Sequence, residues 1–208
     1  MKKTMHRRQF IRSGSALGVS LAMTQPWDRI LGANDDIRVG VVGFRSRGKS
    51  HITGFGNLPG VRLTALCDVD LEVLEQGVEK YSQPGQKLKP YSDYRRMLED
   101  KDIDLISIAT PNHTHALISV AAIQAGKVVF FEKHVSHYSW EGKQIFNAAR
   151  KYCKMVLTGT QCRSNPGMQK AVAFIQKGGL GQVRVARGLC YKRRRSIGKV
   201  KGPQAVSK

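Results

Sequence analysis

The feature that most constrains this chain is a regular alternation of strand-like and helix-like segments between residues 37 and 176. Short apolar runs rich in Val and Ile alternate with stretches whose apolar residues recur every three or four positions. Because parallel strands need a crossover helix between them, this order predicts a doubly wound parallel α/β sheet. The 208 residues suffice for one such domain, and no apolar run reaches the roughly 18 residues of a membrane span.

The segment boundaries follow from periodicity and from turn and capping residues. Ser92 is expected to cap the short helix that begins at Asp93. Gly126 is expected to end the helix over residues 113–125. The predicted strands are 37–42, 61–67, a short one at Tyr91, 103–109, 128–131, 155–157 and 183–191. The predicted helices are 46–58, 71–81, 93–99, 113–125, 140–152 and 168–176.

The first 33 residues have the composition of an export signal. Basic residues precede a mild apolar stretch from Ala16 to Met23, and Arg7-Arg8-Gln9-Phe10-Ile11-Arg12 resembles the twin-arginine signal. The alternative is an amphipathic first helix, but the segment has little helical periodicity. We therefore expect a periplasmic or otherwise exported protein.

The net charge of +20 is concentrated at the two ends of the chain. The first 32 residues carry +5 and the last 25 carry +9, which leaves +6 for residues 33–183. The run Lys192-Arg193-Arg194-Arg195 has neither a basic fold motif nor stacking aromatic residues beside it. The charge therefore indicates basic ends on a mildly basic domain, and we expect no nucleic-acid partner.

The loop Gly43-Phe44-Arg45-Ser46-Arg47-Gly48-Lys49-Ser50 fits two nucleotide-binding patterns. It matches the P-loop G-x-x-x-x-G-K-S at every position, and it matches the dinucleotide pattern only in part, because Arg45 replaces the second glycine. Both patterns place phosphates on backbone N–H groups at a helix N-terminus. On the loop alone a P-loop NTPase is favoured.

Polar residues beyond the loop favour the dinucleotide interpretation. Asp68 ends the second strand 20 residues after Gly48, where a dinucleotide fold places the acid that binds the adenosine ribose, although Asp68 could also cap the next helix. Further polar residues follow later strands, at the edge where open α/β sheets bind ligands. They are Thr110-Pro111-Asn112, Glu132-Lys133 and Gln161.

Three segments together resemble one enzyme family. Ala109-Thr110-Pro111-Asn112-His113-Thr114-His115, Ala125-Gly126-Lys127 and Glu132-Lys133 are similar to the marks of the Gfo/Idh/MocA oxidoreductases, in particular their secreted sugar-processing branch. The resemblance implies a Rossmann domain over 34–160 and the start of an α+β substrate domain over 161–208. It also implies hydride transfer between NAD and a sugar-like or polyol substrate.

The resemblance also implies roles for individual residues. Asp68 would bind the adenosine ribose and disfavour the 2′-phosphate of NADP. Lys133 could be a surface lysine, but its place after an apolar strand favours a buried position in a pocket, where its ammonium group could act as the catalytic acid or base. The implied cofactor-binding residues are Gly43, Phe44, Arg45, Arg47 and Gly48 at the pyrophosphate, Asp68, then Thr110, Pro111, Asn112 and His115 on the nicotinamide side, with Glu132, Lys133 and Gln161. No metal is expected, since His113 and His115 lack further ligands at useful spacing.

The chain departs from the family pattern in three places. Arg45 stands at a usual glycine, His134 stands at a usual proline, and the chain stops at Lys208, soon after the segment that would begin the substrate domain. We therefore expect a chain that does not turn over by itself, completed by a missing C-terminal half or by a homo-oligomer. The alternatives are an NAD-dependent glycosidase of the same family, a P-loop NTPase and a non-catalytic NAD-binding module.

Overall fold

The computed structural model describes residues 36–189, 198, 199 and 202. The predicted export signal, the basic run at 192–195 and the end of the predicted strand 183–191 lie outside these residues. All the helices and strands described below belong to the unit Ile37–Lys208.

Six parallel strands form one sheet with the order β3-β2-β1-β4-β5-β6. The strands are β1 Ile37–Val42, β2 Val61–Cys67, β3 Lys89–Tyr91, β4 Leu105–Ile108, β5 Val128–Glu132 and β6 Val156–Gly159. Sequential strands run outward from β1 in one direction and then, from β4, in the other. The predicted doubly wound parallel sheet is therefore confirmed.

Helices cover both faces of this sheet. They are α1 Gly48–Gly56, α2 Leu71–Tyr81, α3 Tyr94–Glu99, α4 Asn112–Gln124, α5 Ser139–Lys151 and α6 Pro166–Gln176, with a 3₁₀ turn at Gln161–Ser164. Ile52 of α1 and Leu74 of α2 belong to an apolar cluster on one face of the sheet. Ile123 of α4 and Ile145 of α5 belong to a second cluster on the other face. The strands alternate between these clusters, since Val41 lies in the first and Val42 in the second.

Two local predictions are wrong. The N-cap of α3 is Asp93, whose carboxylate accepts a hydrogen bond from the Arg95 N–H (2.9 Å). Ser92 is also a residue type common at N-caps, but it lies one position before the cap. Residues 183–189 form no strand. A strand needs a neighbour for its backbone groups, and among the described residues none pairs with this segment. No helix of the described part is both long and apolar enough to cross a membrane.

Candidate functional site

A crevice opens where the strand order reverses, between the carboxyl ends of β1 and β4. The loops that follow these strands diverge to opposite faces of the sheet, which is the usual origin of ligand sites in open α/β folds. A cavity of about 820 Å³ occupies this position. Its lining includes Gly43, Arg45, Asp68, Asp70, Thr110 and Pro111.

Gly43 allows the two loops to meet at the base of the crevice. Its φ is +76°, in the left-handed region that favours glycine. A Cβ at Gly43 would lie 2.6 Å from Thr110 Cγ2 and 3.0 Å from the Thr110 backbone nitrogen. A Cβ at Gly48 would lie 2.1 Å from the carbonyl oxygen of Gly43. Both predicted loop glycines are therefore needed for the tight passage from β1 into α1.

The glycine loop contains unpaired backbone donors, and its residues Arg45 and Ser46 line the crevice. The Gly43 N–H donates to the Cys67 carbonyl (2.8 Å) and the Phe44 N–H to Asp68 Oδ2 (3.2 Å). The N–H groups of residues 45–48 find no acceptor within the described ranges. They surround the N-terminus of the nine-residue helix α1, where the helix dipole favours negative charge. The loop is thus suited to an anionic group such as a pyrophosphate.

Asp68 lines the crevice at the end of β2. Its Oδ1 accepts the Asp70 N–H (3.1 Å) and its Oδ2 accepts the Phe44 N–H, so the carboxylate is held in place by backbone donors. Asp70 is the residue that caps α2, through the Val73 N–H (3.3 Å). Asp68 is therefore not the helix cap, and its carboxylate borders the cavity as a ribose-binding acid would.

The Arg45 side chain forms an ion pair with Asp70, and both residues line the crevice. The guanidinium is largely exposed, and Asp70 is half-buried beside it. The side chain at the second glycine position is thus paired with a carboxylate of this chain.

Glu132 ends β5, does not line the crevice and contacts α1. Its Oε1 accepts hydrogen bonds from Arg47 Nε (2.9 Å) and from the His51 ring at Nε2 (3.1 Å). Burial acts to raise the pKa of Glu132, but the hydrogen bonds from Arg47 and His51 outweigh it and hold the pKa below its ordinary value. The carboxylate is therefore ionised near neutral pH and occupied by donors of this chain.

Lys133 follows Glu132 at the end of β5. Its side chain is exposed, so the burial predicted for its ammonium group is wrong for the described part of the chain. An apolar strand buries its own residues, but the chain leaves the sheet at Lys133 and nothing described covers that position. The Lys133–His134 peptide is cis.

His115 ties two strand-end segments together. The ring is 1% exposed, with Nδ1 2.7 Å from the His134 carbonyl oxygen and Nε2 2.8 Å from the Thr110 carbonyl oxygen. Both ring nitrogens therefore face the main chain. His115 positions the Thr110 and His134 segments and has no free nitrogen for a ligand.

Of the remaining predicted residues, Thr110 and Pro111 line the crevice, whereas Asn112 and Gln161 do not. The Thr114 hydroxyl lies 2.7 Å from that of Thr110. Pro111 is exposed, Asn112 is the half-buried first residue of α4, and Gln161 is exposed at the start of the 3₁₀ turn. Phe44 differs from the others, since its ring is buried in the core and only its backbone belongs to the loop.

Two polar residues near the site, His51 and Ser107, were not predicted from the sequence. His51 is buried on α1, and its Nδ1 lies 2.8 Å from the hydroxyl of Ser107 in the middle of β4. Two signals were present in the sequence. His51 follows Arg47 by four positions on a helix, and Ser107 interrupts an otherwise apolar strand, where a polar side chain needs an internal partner. No group of three residues able to hold a metal occurs within the described ranges.

The family profile described as "Oxidoreductase family, NAD-binding Rossmann fold" matches residues 37–160. The chain belongs to the Gfo/Idh/MocA oxidoreductase family. The match covers the crevice, the glycine loop and Asp68, and it identifies this part of the chain as the family's NAD-binding Rossmann domain. It also decides between the two interpretations of the glycine loop, in favour of the dinucleotide one.

Similar proteins include dehydrogenases and a glycosidase-family protein. The inositol 2-dehydrogenase of Salmonella typhimurium is 30% identical over 172 residues, which cover 82% of this chain and 50% of that protein. A glycosyl hydrolase family 109 protein of Shewanella baltica is 34% identical over 130 residues, 59% of this chain and 28% of that protein.

A solved structure shares the fold. The WlbA dehydrogenase of Bordetella pertussis, in complex with NADH and UDP-GlcNAcA, has a TM-score of 0.62 and 26% identity over 70% of this chain and 43% of that one. The present chain spans about half the length of the inositol dehydrogenases it matches.

Proposed function

We propose that this chain takes part in NAD-dependent hydride transfer involving a sugar-like or polyol substrate. The observation that carries the proposal is the crevice at the strand reversal, where unpaired loop N–H groups and the Asp68 carboxylate border one cavity. The similarity to an inositol dehydrogenase and the family's NAD-binding domain support the same conclusion.

The residues of the crevice fit a dinucleotide. When bound, NAD supplies the hydride acceptor. The N–H groups of residues 45–48 would hold the pyrophosphate, and Asp68 would hold the adenosine ribose through its hydroxyl groups. Lys133, exposed at the end of β5, would take up or return the proton of the substrate hydroxyl.

The charges around Asp68 favour NAD over NADP. A 2′-phosphate at this position would meet the carboxylates of Asp68 and Asp70, which both line the cavity. The two arginines that line the cavity, Arg45 and Arg95, are already paired with Asp70 and Asp93. Discrimination against the extra phosphate therefore follows from like-charge repulsion.

Ligand binding tests the proposal directly. NAD is expected to raise the melting temperature of the chain, and Mg·ATP is not. Asp68→Ala should weaken NAD binding by about tenfold, because the ribose loses a charge-assisted hydrogen bond. Lys49→Ala is the matched control, since Lys49 is exposed on α1 and does not line the cavity.

Calorimetric titration with NAD, NADP and Mg·ATP gives the affinities of wild type and both variants. Strong stabilisation by Mg·ATP that disappears in Lys49→Ala would contradict the dinucleotide assignment. Equal affinity for NAD and NADP would contradict the proposed role of the two carboxylates.

A second candidate is a glycosidase that uses the same bound NAD without net redox change. The family 109 glycosyl hydrolase relative favours it, at 34% identity over 130 residues. One assay separates the two functions. Oxidation of a polyol accumulates NADH in proportion to product, whereas glycosidic cleavage releases sugar with no accumulation of NADH.

We also propose that the protein is exported by the twin-arginine route, on the residues Arg7 and Arg8. Replacing both arginines by lysine is expected to retain the protein in the cytoplasm, because that route reads the arginines and not only their charge. Fractionation of cells expressing either form measures the outcome. The control replaces Lys2 and Lys3 by arginine, and unchanged export of the form that lacks the arginine pair would overturn the proposal.

A further inference from the structure

A series of hydrogen-bonded polar side chains, buried except for Arg47, runs from the centre of the sheet to the glycine loop. It consists of Ser107 on β4, His51 on α1, Glu132 on β5 and Arg47 at the start of α1. Ser107 is fully buried, His51 and Glu132 are each 6% exposed, and the His51 ring stands edge-on to Phe130 at 5.3 Å. Polar groups in such surroundings are costly unless each has its hydrogen-bond partner, and here each has one.

The ionised Glu132 fixes the direction of these hydrogen bonds. A carboxylate only accepts, so His51 must carry its proton on Nε2 and donate it to Glu132. In the neutral ring Nδ1 is then an acceptor, and it receives the Ser107 hydroxyl proton. The arrangement therefore selects one tautomer of His51.

The order Ser–His–Glu is also that of a nucleophilic triad, but its position excludes that role. Ser107 is fully buried in the middle of β4, and it lines neither the 820 Å³ crevice nor the 420 Å³ cavity that touches His51. A nucleophile must reach the reacting atom of its substrate. The chain of hydrogen bonds can hold groups in place, but it cannot attack a substrate.

These hydrogen bonds hold the carboxyl end of β5 in place. Glu132 Oε2 accepts the backbone N–H of Lys133 (3.3 Å), while Oε1 accepts Arg47 and His51. The neighbouring strand has a glycine, Gly159, beside this carboxylate. A Cβ at Gly159 would lie 3.2 Å from Glu132 Oε1, so a larger residue would crowd it. One carboxylate thus joins the anion-binding loop, helix α1 and the residue proposed to carry the substrate proton.

We infer that His51 is a positioning residue that, backed by Ser107, holds the Glu132 carboxylate and through it sets the backbone of Lys133 relative to the glycine loop. This inference rests on the proposed function for its consequence, since Lys133 must stand at a fixed distance from the bound dinucleotide. The hydrogen bonds themselves are testable without any ligand.

Three variants and one control test the inference in the 208-residue chain. His51→Leu removes both ring nitrogens, His51→Gln keeps an N–H donor of similar reach, and Ser107→Ala removes the hydroxyl behind the ring. The control is His113→Leu, at an exposed histidine on α4. Amide exchange of Lys133 and the carboxyl ¹³C titration of Glu132 are measured by NMR, with the exchange of Val129 as the internal reference.

In His51→Leu the Lys133 amide is expected to exchange about tenfold faster, while Val129 keeps its rate, since a charge-assisted hydrogen bond has weakened. The Glu132 titration should move to higher pH, as burial is then less compensated. His51→Gln should restore both towards wild type, Ser107→Ala should produce a smaller change in the same direction, and His113→Leu should change neither. A packing role alone would predict no rescue by Gln and no selective effect at Lys133.

The protonation of the ring supplies a test that needs no variant. The ¹⁵N shifts of His51 in the wild-type chain should show a proton on Nε2. The Nδ1–H form, or an unchanged Lys133 amide in a folded His51→Leu, would overturn the inference. Calorimetry with NAD separates this result from the proposed function, because absent NAD binding with the expected NMR shifts would contradict only the dinucleotide role.

Discussion

At the scale of single residues, the charged side chains at the two edges of the sheet have different roles. At the carboxyl edge Asp68 and Glu132 are held by donors beside a crevice. At the amino edge Asp100 accepts hydrogen bonds from Lys89 Nζ (2.9 Å), the Tyr91 hydroxyl (2.8 Å) and the Asp102 N–H (2.8 Å). Lys127 is buried there, with Nζ 2.6 Å from the Asp100 carbonyl oxygen and 2.8 Å from that of Ile103. This second group of charges stabilises the fold on the side away from the ligand.

Asp100 should make the free energy of unfolding depend on pH in the acid range. Burial acts to raise its pKa, but the hydrogen bonds from Lys89, Asp102 and Tyr91 lower it from 3.8 to about 2. A depressed folded-state pKa contributes stability that is present above the unfolded value and is lost as the pH falls through the folded one. The contribution at neutral pH is on the order of 2 kcal/mol.

We therefore expect Asp100→Asn to lower the free energy of unfolding at pH 7 by roughly 2 kcal/mol and to flatten its decline between about pH 4 and pH 2. Denaturant unfolding at a series of pH values measures both effects. The control is Glu99→Gln, whose carboxylate is mostly exposed beside Arg96. Parallel pH profiles for wild type and Asp100→Asn would contradict the prediction.

At the scale of elements, helix α2 supports the glycine loop through one contact. The ring of Phe44 is 1% exposed and rests against Gly77 in the middle of α2. A Cβ at Gly77 would lie 2.3 Å from Phe44 Cε2 and 2.7 Å from Cζ. Because the Phe44 N–H is the donor to Asp68 Oδ2, this contact also bears on the crevice.

Two helix glycines allow a matched comparison. Gly77→Ala is expected to destabilise the fold by about 1–3 kcal/mol through overpacking against Phe44, and to weaken NAD binding. Gly54→Ala lies within α1 with nothing within 4 Å of the added Cβ, so it should stabilise by up to about 1 kcal/mol. Thermal and denaturant unfolding measure both changes. Equal effects of the two substitutions would show that the Phe44 contact is unimportant.

At the scale of the whole molecule, the segment after the sheet leaves apolar side chains in solvent. None of the described residues from 160 to 189 is buried. Met168, Val172 and Ile175 recur at helical spacing on α6, and each is about half exposed. Leu180, Val183, Val185 and Leu189 are exposed further along the chain. Exposed apolar surface of this kind favours association.

We expect the chain to self-associate at high concentration, and Val172→Lys to reduce this association, because a charge on the apolar stripe of α6 opposes its burial. Ala173→Lys adds the same charge to the same helix at an exposed position away from the stripe and is the control. Sedimentation velocity over a range of concentrations measures the association. The same sedimentation behaviour in wild type and Val172→Lys would show that the stripe is not the contact surface.

The parts of the site that depend on neighbouring residues in the chain were predictable. Helix α2 spans Leu71–Tyr81 in the structure, as its apolar spacing predicts, and Gly43 and Asp68 line the crevice as the loop pattern and strand order predict. Strand order follows from periodicity, and periodicity is a local property of the chain. The carboxyl ends of parallel strands must then share one edge, which brings Asp68 and Thr110 together without further information.

Only the tertiary structure decided which polar groups share a hydrogen bond. His51 meets Ser107 across 56 positions of sequence and Glu132 across 81, and no local pattern joins them. Their pairing depends on how far α1 rotates over β4 and β5, which the packing of its apolar residues determines. The same packing leaves Lys133 exposed although the strand before it is apolar, because burial depends on what lies across the sheet edge and not on the residues beside it in the chain.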